Sequence, residues 1–419
     1  MKPQGKGWLK NYLEFRKDLL KDLARSRGSH PEHSLYRVIQ PTGLMYGQTV
    51  GEVDFPGMEE WSEKDKMKIL LAESLVSSSL VFNDTPVDSP DELSNVVMKA
   101  VENIGNFYNN IFPEMATPAT TLFGRRKTPM ELAEKILEKR IELTSDLEGN
   151  FWAYFFHNSL LFLDIYIFGQ WIHTNTDRIV ADFFRYERDE LRFSIVKVIA
   201  AAAHANKEVS FEEKRLFDLF LSGTDLPADK RKEALQIFDR GILVEELNLP
   251  AENSWILKKF FLEIATLVLW ADRKLEDEEL AFLRSLCRYL NFSDEDLENS
   301  LIAVEGFVLE HWEQLARLQN KPDFQKVSEQ FISRVSSLAE KNRGRILKEL
   351  ESSREVMNLI KKARSNELTP SEKERMRTEL IKVLRTIPTF VIVSLPQRFL
   401  TLPILLKILP KNLFAEGVS

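Results

Sequence analysis

Apolar residues recur at spacings of three and four along most of the chain, and long alternating β-branched runs are absent. That periodicity predicts helices throughout, so the expected fold class is all-α, in a multi-domain helical protein. Three helix starts are written out in full: Ser89-Pro90-Asp91-Glu92, Thr128-Pro129-Met130-Glu131 and Thr369-Pro370-Ser371-Glu372. Each combines a capping hydroxyl, a proline in the first turn and a glutamate three residues on, able to reach back to the capping residue's N–H. Residues 1–30, with Trp8, Tyr12, Phe15, Leu19, Leu20 and Leu23 among lysines and arginines, read as an amphipathic helix. Residues 29–57 gather Pro41, Gly43, Gly47, Gly51, Pro56 and Gly57 and read as an extended loop. Residues 112–127, with Pro113, Pro118 and the basic Arg125-Arg126-Lys127, read as a second loop. The basic trio fits a solvated turn, with lipid or nucleic-acid contact as the alternative.

Residues 151–172, FWAYFFHNSLLFLDIYIFGQWI, are apolar over a length that reaches roughly 33 Å as a helix. Asp164, with His157, Asn158 and Gln170, favours a buried central helix over a membrane span, because a mid-span aspartate costs about 2.5–3.5 kcal/mol. In an inserted helix, Asp164 would be the ion-pathway candidate. Residues 322–364 carry apolar side chains at Phe324, Val327, Phe331, Val335 and Leu338, then at Leu347, Leu350, Met357 and Ile360. This spacing suits one long amphipathic helix or a hairpin broken near Gly344.

An internal repeat occupies the middle of the chain at an offset of 66 residues. Residues 205–213, ANKEVSFEE, align with 271–279, ADRKLEDEE, and the flanks agree. Ile195, Val196 and Val198 pair with Phe261, Leu262 and Ile264; Leu216, Phe217 and Phe220 pair with Phe282, Leu283 and Leu286. Each copy reads as an apolar helix, a short acidic turn and a second helix, and two copies packed together would bury one shared core. Four segments follow: an amino-terminal helical domain (1–180), the repeat domain (181–304), connecting helices (305–367) and an apolar carboxyl segment (368–414).

The carboxyl segment begins as a charged helix and becomes an apolar run punctuated by Pro388, Pro396, Pro403 and Pro410, spaced eight, seven and seven residues apart. Proline inside a helix costs about 3 kcal/mol, so four of them predict short, kinked helical pieces. From residue 380 to 415 there are five basic residues, Lys382, Arg385, Arg398, Lys407 and Lys411, and no acid. Apolar surface with basic edges suits an anionic lipid surface or an RNA phosphate surface. Folded back, the same run would form the core of a last domain, a reading that Arg398 favours because a lipid-facing arginine is costly.

In its Leu368-Thr369 start, its Ile387-Pro388, Leu395-Pro396, Leu402-Pro403 and Leu409-Pro410 pairs and its Lys407, this segment resembles the leucine-zipper and EF-hand-containing transmembrane (Letm) protein family, in particular its biofilm-associated bacterial type. The resemblance covers about an eighth of the chain. It implies membrane association, with roles in cation and proton exchange, ribosome binding and assembly of membrane proteins. The family carries an acid three positions after the second proline; here that position is Phe399, which removes the candidate ion carrier. The family's downstream ribosome-binding-type domain is not expected within this chain.

The repeat resembles the TerB-like helical domain associated with tellurite resistance, whose signature is alanine, aspartate and glycine with a glutamate seven residues after the aspartate. The second copy keeps Asp272 and Glu279; the first keeps Glu213 but has Asn206, and Lys207 and Arg273 replace the glycine. The resemblance implies a cation site at the acidic turns, so Glu213, Asp272 and Glu279 are the metal candidates. On the residues themselves capping is the competing role: Ser210 with Glu213 forms a capping box, and Asp272 and Glu276 favour the next helix N-terminus.

Composition narrows the chemistry. The 419 residues are 44% hydrophobic and 29% charged, with a formal net charge of −7, as in a mostly globular protein rather than a polytopic one. One cysteine, Cys287, leaves no intramolecular disulfide and no cysteine-based zinc cluster. No phosphate-binding glycine loop, nucleophile elbow or helical zinc-protease pair is present, and His30 and His33 fit a solvated pair. The expectation is a non-enzymatic helical scaffold or adaptor with no cofactor, a divalent cation at the acidic turns being the alternative. It would be cytoplasmic and associated with the inner membrane or anionic lipid, with ribosomes or membrane-protein assembly factors as further partners, no DNA, and oligomerisation open. The membrane or partner contacts would be Lys382, Arg385, Pro388, Pro396, Arg398, Pro403, Lys407, Pro410 and Lys411. The alternatives are a cation or proton transport component and a fully soluble TerB-like envelope-stress or cation-sensing protein.

Overall fold

The computed structural model describes residues 3, 5–25, 31–42, 45, 60–83, 87–121, 124–142, 151–172, 178–206, 208–250, 254–270, 277–312, 324–365, 367–385, 395 and 397–410. Among them the secondary structure is helical apart from one isolated bridge, Thr120 to Arg126. The expected all-α fold is observed. The chain divides into two compact units, one holding the described residues up to Leu269 and from Asp277 to Asn291, the other Trp270 and the described residues from Phe292 onward.

The first unit comprises α1 (Trp8–Phe15), α2 (Lys17–Arg25), α3 (Pro31–Thr42), α4 (Glu63–Val81), α5 (Pro90–Ile111), α6 (Pro129–Glu142), α7 (Phe151–Trp171), α8 (Arg178–Ala203), α9 (Phe211–Gly223), α10 (Ala228–Arg240), α11 (Trp255–Leu269) and α12 (Asp277–Tyr289). Helix α4 is buried all round from Met67 to Leu80, packed by α2, α3, α5, α6 and α7. A helix enclosed on every side has no polar face, so no one-sided pattern marks it in the sequence. Its serines let a neighbour approach closely. At Gly169 of α7, an added Cβ would fall 2.9 Å from the Ser78 hydroxyl, tighter than real contacts allow. Like α4, α7 lies inside this unit, with Leu160–Ile165 buried throughout, in agreement with the buried-helix reading of residues 151–172.

The predicted helix starts form as written. Ser89 and Glu92 close a capping box on α5, and the Thr128 and Glu131 pair does the same on α6. The repeat also packs as expected: α8 lies on α9 and α11, α11 lies on α12, and Ile195, Val196, Val198, Phe261, Leu262 and Ile264 are all buried. Two expectations need correction. Residues 31–42, read as part of a loop, form α3, because Leu35, Tyr36 and Ile39 make one apolar face that buries against α4 and α11. The single amino-terminal helix is two, divided at Arg16, whose side chain turns inward to Glu73.

The second unit comprises α13 (Asp294–Glu310), α14 (Phe324–Lys341), α15 (Arg343–Ser352), α16 (Arg354–Ser365), α17 (Pro370–Arg385) and α18 (Leu402–Ile408), with a 3₁₀ turn at Gln397–Phe399. The stretch 322–364 breaks twice, at Asn342 and Ser353, rather than once near Gly344. The Asn342 amide donates its side-chain Nδ2 to the Leu338 carbonyl, ending α14 with a polar group that competes for the helix bonds. Thr369 and Glu372 cap α17 from both directions. After α17, the described part of the carboxyl segment is a 3₁₀ turn and a short helix, as the proline spacing predicts. Helix α18 packs on α14 and α17.

Candidate functional site

The first acidic turn of the repeat serves the helix it starts. Glu213 accepts from the Ser210 N–H at 2.7 Å while Ser210 Oγ accepts from the Glu213 N–H at 3.2 Å, closing the capping box of α9. Glu279 lies fully buried in the first turn of α12, and Asp272 lies outside the described residues. Among the described residues no group of three or more His, Cys, Asp or Glu side chains is placed to hold a metal ion.

The candidate contact residues of the carboxyl segment divide between an inner and an outer face. Leu405, Ile408 and Leu409 of the α18 region are buried at the i, i+3 and i+4 positions of one helical face. Pro403 and Lys407 are exposed, and so is Leu406. Pro410 is buried. Phe399, where the resembled family carries an acid, is buried with its ring centroid 4.8 Å from that of Phe331 on α14. Arg398 Nη2 donates to the Glu310 carbonyl at 3.0 Å, and its guanidinium lies over the Phe324 ring at 5.6 Å. This side chain therefore satisfies the C-terminal end of α13 rather than facing outward alone. From α17, Arg377 Nη1 reaches the Leu400 carbonyl at 3.4 Å, and the largely exposed Lys382 pairs with Glu379 at 2.5 Å. Pro388, Pro396 and Lys411, and the side chain of Arg385, lie outside the described residues.

Ionic clusters buried inside each unit were not legible as sites. In the first unit, Arg140 Nε donates to Asp164 Oδ2 at 2.7 Å and its Nη2 to Oδ1 at 3.4 Å, while the Tyr108 hydroxyl donates to Oδ2 at 2.9 Å. Burial, then the Asp164 charge, holds the Tyr108 hydroxyl well above its ordinary pKa. Burial alone would pull Arg140 down, and the Asp164 carboxylate overrides it, leaving the guanidinium more basic than usual. Glu73 accepts from Tyr12 and from Arg16 at 2.9 and 3.1 Å. Glu263 accepts from the Tyr36 hydroxyl at 2.5 Å and lies 3.8 Å from Lys259 one turn before it. In the second unit, Glu305 of α13 is buried 3.6 Å from Arg334 Nε of α14, and burial lifts its carboxyl to about 7 against the opposing pull of Arg334. The available signal was a charge inside an apolar run, which marks Glu263 in FFLEIATLVLW and Glu305 in LIAVEGFVL as it marks Asp164.

The fold and these sites define an all-helical protein with buried ion pairs inside each unit and a short helix, α18, that is buried along one side. No family model, no curated protein and no solved structure matches this chain. Among the described residues no helix is long and apolar enough to cross a membrane.

Proposed function

We propose that this chain is a non-enzymatic helical adaptor that meets an anionic lipid surface through the outer face of α18, as a Letm-like segment attached to a TerB-like helical body. The observation that carries this reading is the division of α18: Leu405, Ile408 and Leu409 are buried on α14 and α17, while Pro403, Leu406 and Lys407 face outward. Leu406 is 38% exposed and lies beside the exposed Lys407. The surrounding stretch, residues 380–415, has five basic residues and no acid in a chain of net charge −7, so its charge is opposite to that of the body. A seven-residue helix is about 10 Å long against a hydrocarbon core of about 30 Å. Contact therefore lies in the interface plane, with apolar side chains at the acyl boundary and lysines on the headgroups.

Sedimentation of the full chain with vesicles tests this. Vesicles of neutral lipid should leave the protein in the supernatant, and vesicles containing anionic lipid should carry it down at low salt. Replacing Lys407 and Lys382 by glutamate should return it to the supernatant with the fold intact by circular dichroism. Equal partition onto both vesicle types, or sedimentation with ribosomes and not with vesicles, overturns the reading.

A further inference from the structure

A cleft of about 440 Å³ opens on the first unit, a size within that of small-molecule sites. Its floor is one face of α6, where Glu131, Glu134, Lys135 and Glu138 fall at positions i, i+3, i+4 and i+7. One wall is Gly5 and Lys6, just before α1, and the other is the turn that follows α5, through Thr121, Arg125 and Lys127. That turn is tied by the Thr121 N–H to the Arg125 carbonyl and by the Lys127 N–H to the Ala119 carbonyl, both at 2.8 Å. A Cβ added at Gly5 would meet nothing within 4 Å, so this wall leaves open space beside it.

Two of the three carboxylates on the floor are already spent. Glu134 accepts from the Gly7 N–H at 3.1 Å with one oxygen and from the Leu9 N–H at 3.0 Å with the other, which closes the N-terminus of α1. Glu131 takes Arg125 Nη2 at 2.7 Å and Lys6 at 3.3 Å on one oxygen and the Thr128 N–H at 3.0 Å on the other.

Groups of both signs remain available to an occupant. The Glu138 carboxylate is half-buried, and one of its oxygens accepts from Trp8 Nε1 at 3.2 Å; the other has no donor among the described residues. Burial raises this carboxyl above its ordinary pKa against the pull of Lys68, so a cation beside it would relieve a real cost. Lys135 stands four residues after Glu131 and three before Glu138, spacings at which such pairs meet, yet among the described residues it makes no ion pair or hydrogen bond. Lys127 spends one of its three donors on the Pro118 carbonyl at 2.5 Å and keeps two.

An occupant with only a negative charge would meet Glu138, and one with only a positive charge would meet Lys127 and Lys135. We propose that the cleft binds a small zwitterion of the amino-acid or short-peptide kind, its carboxylate held by Lys135 and Lys127 and its ammonium by the free oxygen of Glu138. Charge-assisted bonds at both ends fix the orientation of such a ligand, and the rest of the volume receives its side chain.

Thermal unfolding of the full chain with each standard free amino acid in turn, and with glycylglycine, tests this. At about a hundred times its Kd, a compound that binds should raise the midpoint by about 5 °C. The same compound lacking its amine, or lacking its carboxylate, should give no rise at that concentration. Lys135→Gln and Glu138→Gln should each raise the half-saturating concentration at least about tenfold, through loss of one bond to a charged group. Without ligand both variants should melt close to the native protein, because Lys135 is exposed and a glutamine at 138 still accepts from Trp8. No rise with any of these compounds overturns the proposal. An equal rise from the acid or the amine alone overturns it too, as does a response that either substitution leaves unchanged.

Discussion

Phe399 packs its ring against Phe331 of α14 at a centroid distance of 4.8 Å, and both side chains are buried. The carboxyl segment is thus built into the second unit at the position where the resembled family carries an acid. Truncating a buried phenylalanine removes its transfer free energy and leaves a cavity, so Phe399→Ala should destabilise the second unit by about 3–5 kcal/mol. Phe399→Glu, which introduces the acid that the resembled family carries there, should do worse, since it buries a carboxylate beside an aromatic ring. Urea denaturation followed by circular dichroism measures both; a loss under about 1 kcal/mol for either would show that the ring contact does not hold the segment in place.

Asp164 and Arg140 give a second prediction. Both are buried and joined by two bonds, with Tyr108 completing the carboxylate. Removing one partner of such a pair leaves the other charged and unpaired, so Asp164→Ala should cost about 3–5 kcal/mol. Replacing both by apolar residues of similar size, as in Arg140→Met with Asp164→Leu, should recover most of that loss. Tyr108→Phe should cost about 1–3 kcal/mol, the value of a bond to a charged acceptor. A double-mutant cycle on the three residues separates the contributions.

How much of this was legible in the sequence follows from where each signal sits. The capping boxes at Ser89, Thr128 and Thr369 were readable because hydroxyl, proline and glutamate are all local. The burial of residues 160–165 within α7 was readable from Asp164, whose charge is costly in lipid. Helix α3 was missed because Pro41 and the glycines after it read as a loop, while the apolar face of Leu35, Tyr36 and Ile39 gains its partners only from α4 and α11. Arg16 and Glu73, Tyr36 and Glu263, and Arg140 and Asp164 are joined across 57, 227 and 24 residues, and no local pattern encodes a pairing over such separations.

Glu32 shows the same long reach in a cap. From α3 its carboxylate accepts the N–H groups of Trp255 at 2.6 Å and Ile256 at 3.1 Å and the Ser254 hydroxyl at 2.8 Å, closing the N-terminus of α11. A negative charge there satisfies two orphan donors and meets the positive end of the helix dipole. Glu32→Ala should cost about 1–2 kcal/mol, and Glu32→Gln less, because an amide oxygen still accepts. Amide hydrogen exchange at Trp255 and Ile256 should quicken in the alanine variant; unchanged protection would mean that another group caps α11.

Glu305 makes stability depend on pH in a direction opposite to that of most carboxylates. Burial lifts its carboxyl from the ordinary 4.5 to about 7, against the pull of Arg334. Below about 4.5 the group is protonated in both folded and unfolded chains and contributes no penalty. Between 4.5 and 7 the unfolded chain releases the proton while the folded chain keeps it, so the unfolded state binds fewer protons and stability falls as pH rises. Above 7 both states are ionised and the full penalty, about 3 kcal/mol, is constant. Glu305→Gln, which stays neutral at every pH, should therefore match the native protein near pH 4.5 and exceed its stability by about 3 kcal/mol at pH 8. Urea unfolding of the two proteins across that range measures the difference. A gap that does not widen with pH would mean that Arg334, at 3.6 Å, keeps the carboxylate ionised inside the fold.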